Sequence, residues 1–85
     1  MKPVTIYTKE TCPYCDAALD LLRKKNAAFE QIKVDGDRAA QVAMSARAGG
    51  RTSVPQIFIG GKHVGGCDDI YALDSQGRLD ALLAA

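Results

Sequence analysis

The 85-residue chain is 47% apolar and 25% charged, with a formal net charge of +1. That is the composition of one globular domain, residues 1–85, with a modest core. No block of Lys or Arg stands out for nucleic acid or a membrane surface, and no apolar run approaches the ~18 residues of a membrane span. The three cysteines are an odd number, which does not suit a fully paired secreted framework.

Residues 3 to 7 read as a short β-branched strand, placed centrally in a sheet, with no leader pattern before it. Thr8 to Thr11 form the loop that delivers Cys12. Pro13 to about Lys25 is the first helix, with Ala17, Ala18, Leu21 and Leu22 on its apolar face and Asp16, Asp20, Arg23 and Lys24 outside. Pro13 suits the first helical position, because its missing N–H would be unpaired there anyway. Basic Arg23, Lys24 and Lys25 complement the dipole at the other end, and Asn26 stops the helix. Phe29 to Val34 is a second strand. Asp35-Gly36-Asp37 is a turn in which either Asp can cap a second helix, Arg38 to about Arg47, ended by Gly49-Gly50.

Gln56 to Ile59 is an apolar strand and Gly60-Gly61 a two-residue hairpin turn. Lys62-His63-Val64 returns as an antiparallel edge strand. A third helix starts in Gly65-Gly66-Cys67-Asp68-Asp69, with Ile70, Tyr71 and Leu73 as its apolar residues. Leu79, Leu82 and Leu83 make a short terminal helix. The main order is β-α-β-α-β-β-α. It predicts an α/β fold, a four-stranded mixed sheet with helices on both faces, the first two strands forming a right-handed βαβ unit. Reactive groups in such folds collect at the carboxyl ends of the parallel strands, where Cys12 falls.

Cys12-Pro13-Tyr14-Cys15 at this strand-to-helix corner reads as a redox pair. The helix N-terminus places Cys12 where backbone N–H groups and the positive dipole end favour a thiolate. Cys15, about one turn on, is within reach of it. A zinc site of Cys12, Cys15, His63 and Cys67 is the competing arrangement. The proline inside the pair and the hairpin between the two halves work against its closing.

Thr11-Cys12-Pro13-Tyr14-Cys15, Ser53-Val54-Pro55 and Gly65-Gly66-Cys67-Asp68-Asp69 together resemble the dithiol glutaredoxins over essentially the whole chain. Ser53 stands where that family usually has Thr, and it keeps the hydroxyl. The resemblance implies a thioredoxin fold and a glutathione-dependent thiol–disulfide oxidoreductase. It implies Cys12 as nucleophile and Cys15 as resolving thiol. It also implies a cis Val54-Pro55 bond that turns the Val54 backbone towards Cys12, to pair with a peptide-like thiol as an added strand. The glutathione-binding set it implies is Lys9, Tyr14, Ser53, Val54, Pro55, Gly66, Cys67 and Asp68. Lys9 would take the glycine carboxylate. The N–H groups and carboxylate at Asp68 would take the γ-glutamyl end, although Asp68 is equally an N-cap without a ligand. Cys67 would pack beside the ligand.

Glutathione is then the co-substrate, with no metal or nucleotide required. The partners would be disulfide-containing or glutathionylated proteins, ribonucleotide reductase being the one the family suggests. The chain would be a cytoplasmic monomer with no nucleic-acid or membrane partner. Two other readings stay open: a redoxin reduced by thioredoxin reductase, and an iron–sulfur or metal carrier. Arg38, Gln41 and Arg51 are further carboxylate-binding candidates. His63 is expected to face solvent, and Tyr7, Phe29, Met44 and Phe58 to lie in the core.

Overall fold

A computed structural model describes residues 1–84. In chain order the elements are β1 (Val4–Thr8), α1 (Pro13–Lys24), β2 (Phe29–Lys33), α2 (Arg38–Arg47), β3 (Gln56–Ile59), β4 (Lys62–Gly65), α3 (Cys67–Ser75) and α4 (Leu79–Leu83). The sheet order is β2-β1-β3-β4, with β1 parallel to β2 and the remaining pairs antiparallel. This is the expected mixed sheet, with β1 in its interior. The short terminal helix expected around Leu79, Leu82 and Leu83 is α4.

Period-2 alternation along the strands divides the core in two. Val4, Ile6, Ile57 and Ile59 pack against Ala18, Leu19, Leu21 and Leu22 of α1, Ile70 of α3, and Leu79 and Leu83 of α4. Tyr7 and Phe58 pack on the opposite face against Met44 of α2 and the following Ala48. Helices therefore cover both faces.

Two packing expectations need correction. Leu19, absent from the predicted stripe of α1, is buried, because α3 and α4 both lie over this helix and widen its covered face. Tyr71 is exposed rather than core; its ring lies along the surface and its hydroxyl donates to Ala17 O at 2.9 Å, tying α3 to α1. In α2 only Met44 is buried, with Ala40 partly buried against the same cluster, and Val42 stands in solvent.

Between β3 and β4, Gly60 and Gly61 take φ of 58° and 80°, the left-handed pair that a two-residue hairpin requires. The β3–β4 register then shifts: Phe58 pairs with His63 and Ile57 with Gly65, which leaves Val64 as the extra residue. The shift brings Gly65 and Gly66 round to the carboxyl end of β1, where α1 and the loop before β3 also converge.

Candidate active site

Cys12 is the N-cap of α1, in extended backbone, and Pro13 is the first helical residue. The Cys12 sulfur is half-buried and accepts a hydrogen bond from the Cys15 N–H at 3.2 Å. A sulfur in this position faces the unsatisfied N–H groups and positive end of the helix, which stabilise negative charge. All three cysteines are free thiols.

Cys15 lies beneath, 1% exposed. Its thiol is pushed up to about 12, first by burial and then by its hydrogen bond with Cys12 and the charges of Cys12 and Asp16; a backbone hydrogen bond from Lys9 opposes this. One sulfur is thus presented at a helix start while the other is kept protonated below it.

The loop before Cys12 is held from a distance. The Glu10 N–H donates to both carboxylate oxygens of Asp35, at 3.0 and 2.9 Å, and Lys33 Nζ reaches Glu10 Oε1 at 2.7 Å. The other residue of that turn, Asp37, caps α2 through the Ala40 N–H. The two acids of the turn, interchangeable in sequence, therefore divide the work. Thr11 takes φ of 52°. A β-branched residue tolerates this region only where its surroundings hold it. Here the clamp on Glu10 lies on one side of it and the first turn of α1 on the other.

A cleft of about 160 Å³ opens beside the motif. Its walls are Tyr14, the Arg51 and Ser53–Pro55 segment, and Gly66 to Asp69. Val54-Pro55 is cis, as expected. Of the ten predicted site residues, Tyr14, Ser53, Val54, Pro55, Gly66, Cys67 and Asp68 line this cleft, and Cys12 and Cys15 lie next to it. Lys9 is exposed on the preceding loop and is not part of the cleft wall. Tyr14 is 66% exposed, an aromatic lip over the opening. Cys67 is 8% exposed; burial, and then the charges of Asp68 and Cys12, push its thiol up.

The capping arrangement differs from the expected one. Gly66 is the N-cap of α3, and the capping carboxylate belongs to Asp69, whose Oδ2 accepts the Gly66 N–H at 2.7 Å. Asp68, one residue earlier, is left exposed on the cleft rim. Asp69 also pairs with Arg51 at 3.3 Å, joining the loop before β3 to the start of α3. The Gly66 N–H, and then Arg51, hold the Asp69 carboxyl below its usual range against an opposing effect of burial.

The geometry departs at one further point. His63 does not face solvent: it is half-buried, stacked on Phe58 with centroids 5.0 Å apart, and its Nε2 lies 2.7 Å from Gln56 Oε1. It is therefore engaged away from the cysteines. Among the described residues no three His, Cys, Asp or Glu side chains come together as a metal-binding group. Asp69 in the cleft wall, Asp35 on the loop before Cys12 and the Gln56–His63 pair behind Ser53 make contacts that sequence reasoning missed. Only the S/T-x-x-D-like spacing of Gly66 and Asp69 carried a local signal for any of them.

The glutaredoxin family model matches residues 4–64. Glutaredoxin 3 of Escherichia coli is 55% identical over 83 residues, covering 98% of this chain and 99% of its own length. The glutaredoxin of Pseudomonas aeruginosa is 52% identical over the full length of both chains. Among solved structures, the Brucella melitensis glutaredoxin superposes with a TM-score of 0.85 at 49% identity, covering 98% of this chain and 89% of that one. A buckwheat glutaredoxin–glutathione complex superposes with a TM-score of 0.86 at 33% identity, covering 96% and 76%. These likenesses span nearly the whole chain and its fold, and the chain belongs to the glutaredoxin family of glutathione-dependent thiol–disulfide oxidoreductases.

Proposed function

We propose that Cys12 is the attacking sulfur and that the cleft between Tyr14, Val54 and Asp68 holds the glutathionyl moiety. The supporting observation is the Cys15 N–H donating to Cys12 Sγ at 3.2 Å, at the N-terminus of α1 and beside that cleft. The Cys12 thiolate attacks the glutathionyl sulfur of a mixed disulfide. The protein thiolate leaves and takes up a proton, and Cys12 now carries glutathione. A second glutathione thiolate attacks the same glutathionyl sulfur, releasing glutathione disulfide and regenerating the Cys12 thiolate.

With a protein disulfide as substrate, Cys12 forms the mixed disulfide with the protein. Cys15 loses its proton and displaces the substrate thiol, leaving a Cys12–Cys15 disulfide. Two glutathiones then reduce that bond. The buried, protonated state of Cys15 fits a thiol that acts only in this second step.

In this reading the γ-glutamyl carboxylate meets the free N–H groups at the start of α3 and its ammonium meets Asp68, which Asp69 leaves unengaged by doing the capping. Val54 supplies backbone pairing, and Lys9, on the tethered loop, attracts the glycine carboxylate. The cycle uses no metal or nucleotide. It would serve glutathionylated or disulfide-bonded proteins, ribonucleotide reductase among them, as a monomer in the cytoplasm.

A coupled assay tests this. Reduction of a glutathionylated peptide by glutathione, with glutathione reductase regenerating it, supports the reading. Electrons accepted from thioredoxin reductase and not from glutathione contradict it.

A further inference from the structure

Gln56 is completely buried at the start of β3, directly after the cis proline, and every polar atom of its side chain is used. Its Nε2 donates to the Ser53 carbonyl oxygen at 3.0 Å and reaches Ser53 Oγ at 3.3 Å. That orientation leaves Oε1 pointing at His63, so His63 Nε2 must be the donor in their 2.7 Å contact. His63 is itself fixed by stacking on Phe58, which the Arg47 guanidinium covers at 4.2 Å from the ring centroid.

The Ser53–Val54 peptide is trans, since the cis bond is the next one. In a trans peptide the C=O and N–H lie in one plane and point in opposite directions. Fixing the Ser53 oxygen inward on Gln56 therefore turns the Val54 N–H away from the core. Val54 is half-buried and lines the cleft.

We propose that Gln56 and His63 are positioning residues which, through the Ser53 carbonyl, aim the Val54 N–H at the substrate's backbone. The proposal rests on the reading above, in which glutathione pairs with Val54. Burying a complete amide costs free energy unless all its partners are present, and a chain of such bonds fixes one orientation where an apolar side chain would leave the plane free to rock.

The test uses His63→Phe, which keeps a ring on Phe58 and removes the donor, and His63→Gln, which restores an N–H at similar reach. Gln56→Met, of similar length, removes both bonds by a second route. For each, KM and kcat for a glutathionylated peptide are measured, along with the ¹H–¹⁵N position of the Val54 amide without ligand. His63→Phe and Gln56→Met should each raise KM about three- to tenfold, the net contribution of one hydrogen bond, with kcat within about twofold because Cys12 is untouched. The Val54 amide should shift, and His63→Gln should return both quantities towards the parent. Unchanged KM and an unmoved Val54 amide in both donor-less variants overturn the proposal. A fall in kcat with KM constant overturns it too. If glutathione leaves Val54 unmoved in the parent protein, the pocket assignment itself fails, an outcome separate from either.

Discussion

The Cys15 N–H donates to the Cys12 sulfur while the Cys15 side chain lies buried beneath it. One residue thus steadies the exposed sulfur with its backbone and holds its own thiol in reserve. The arrangement assigns different losses to the two serine variants. Cys12→Ser should lower turnover of every disulfide substrate by at least about a thousandfold, since Cys67, the thiol in the cleft wall, is buried and held in its neutral form. Cys15→Ser should keep turnover of glutathionylated peptides within about tenfold of the parent and lose reduction of protein disulfides, whose release needs the second thiol. Steady-state rates on both substrate types check this.

Cys15 should also be resistant to alkylation. Its thiol is pushed up to about 12, chiefly by burial, which the Cys12→Ser background leaves in place. The neutral thiol is the favoured form, so its contribution to stability is fully present below the ordinary thiol range and is lost as pH rises towards the folded value. In Cys12→Ser, iodoacetamide labelling at Cys15 should stay slow up to about pH 10 and then accelerate. Rapid labelling at pH 8 would show an accessible thiolate instead.

Gly65 should not accept a side chain. Its φ is +116°, and an added Cβ would overlap the Asp69 carboxylate that caps α3. Gly65→Ala therefore combines backbone strain with displacement of a cap. It should lower unfolding free energy by about 2 kcal/mol or more. Urea denaturation gives the value, and an unchanged midpoint would mean that the loop relaxes freely.

Asp69 should give the stability a distinct acid limb. The Gly66 N–H, then Arg51, hold its carboxyl below the ordinary 3.8. A carboxyl lowered on folding contributes stability above its unfolded value and loses it as pH falls through the folded one. The parent should be more stable than Asp69→Asn at neutral pH, and the two should converge as pH falls through the lowered folded value. Stability curves that stay parallel throughout the acid limb would place the capping effect elsewhere.

What the sequence disclosed was what its local chemistry encodes. The β-branched Val4–Tyr7 run, the proline after Cys12 and the paired glycines at 60 and 61 each act within a few residues, and each stood where expected. Leu19 was hidden because its burial depends on α3 and α4 arriving over α1. Asp35 and Glu10 are 25 residues apart, and Arg51 and Asp69 are 18 apart, so nothing in either neighbourhood announces the pairing. His63 looked like a solvent-facing residue of the hairpin's returning strand. The two-residue turn pairs it with Phe58, where its ring lies against the Phe58 ring and its Nε2 meets Gln56. Asp68 was placed correctly at the helix start, but the capping role passed to its neighbour because Gly66, not Cys67, precedes the first turn.

The most direct test of the account is where glutathione becomes attached. Cys15→Ser protein is incubated with glutathione disulfide and digested, and the peptides are weighed. The account predicts one glutathionyl group, carried by Cys12, with Cys67 unmodified. An adduct on Cys67, or none on Cys12, would contradict it.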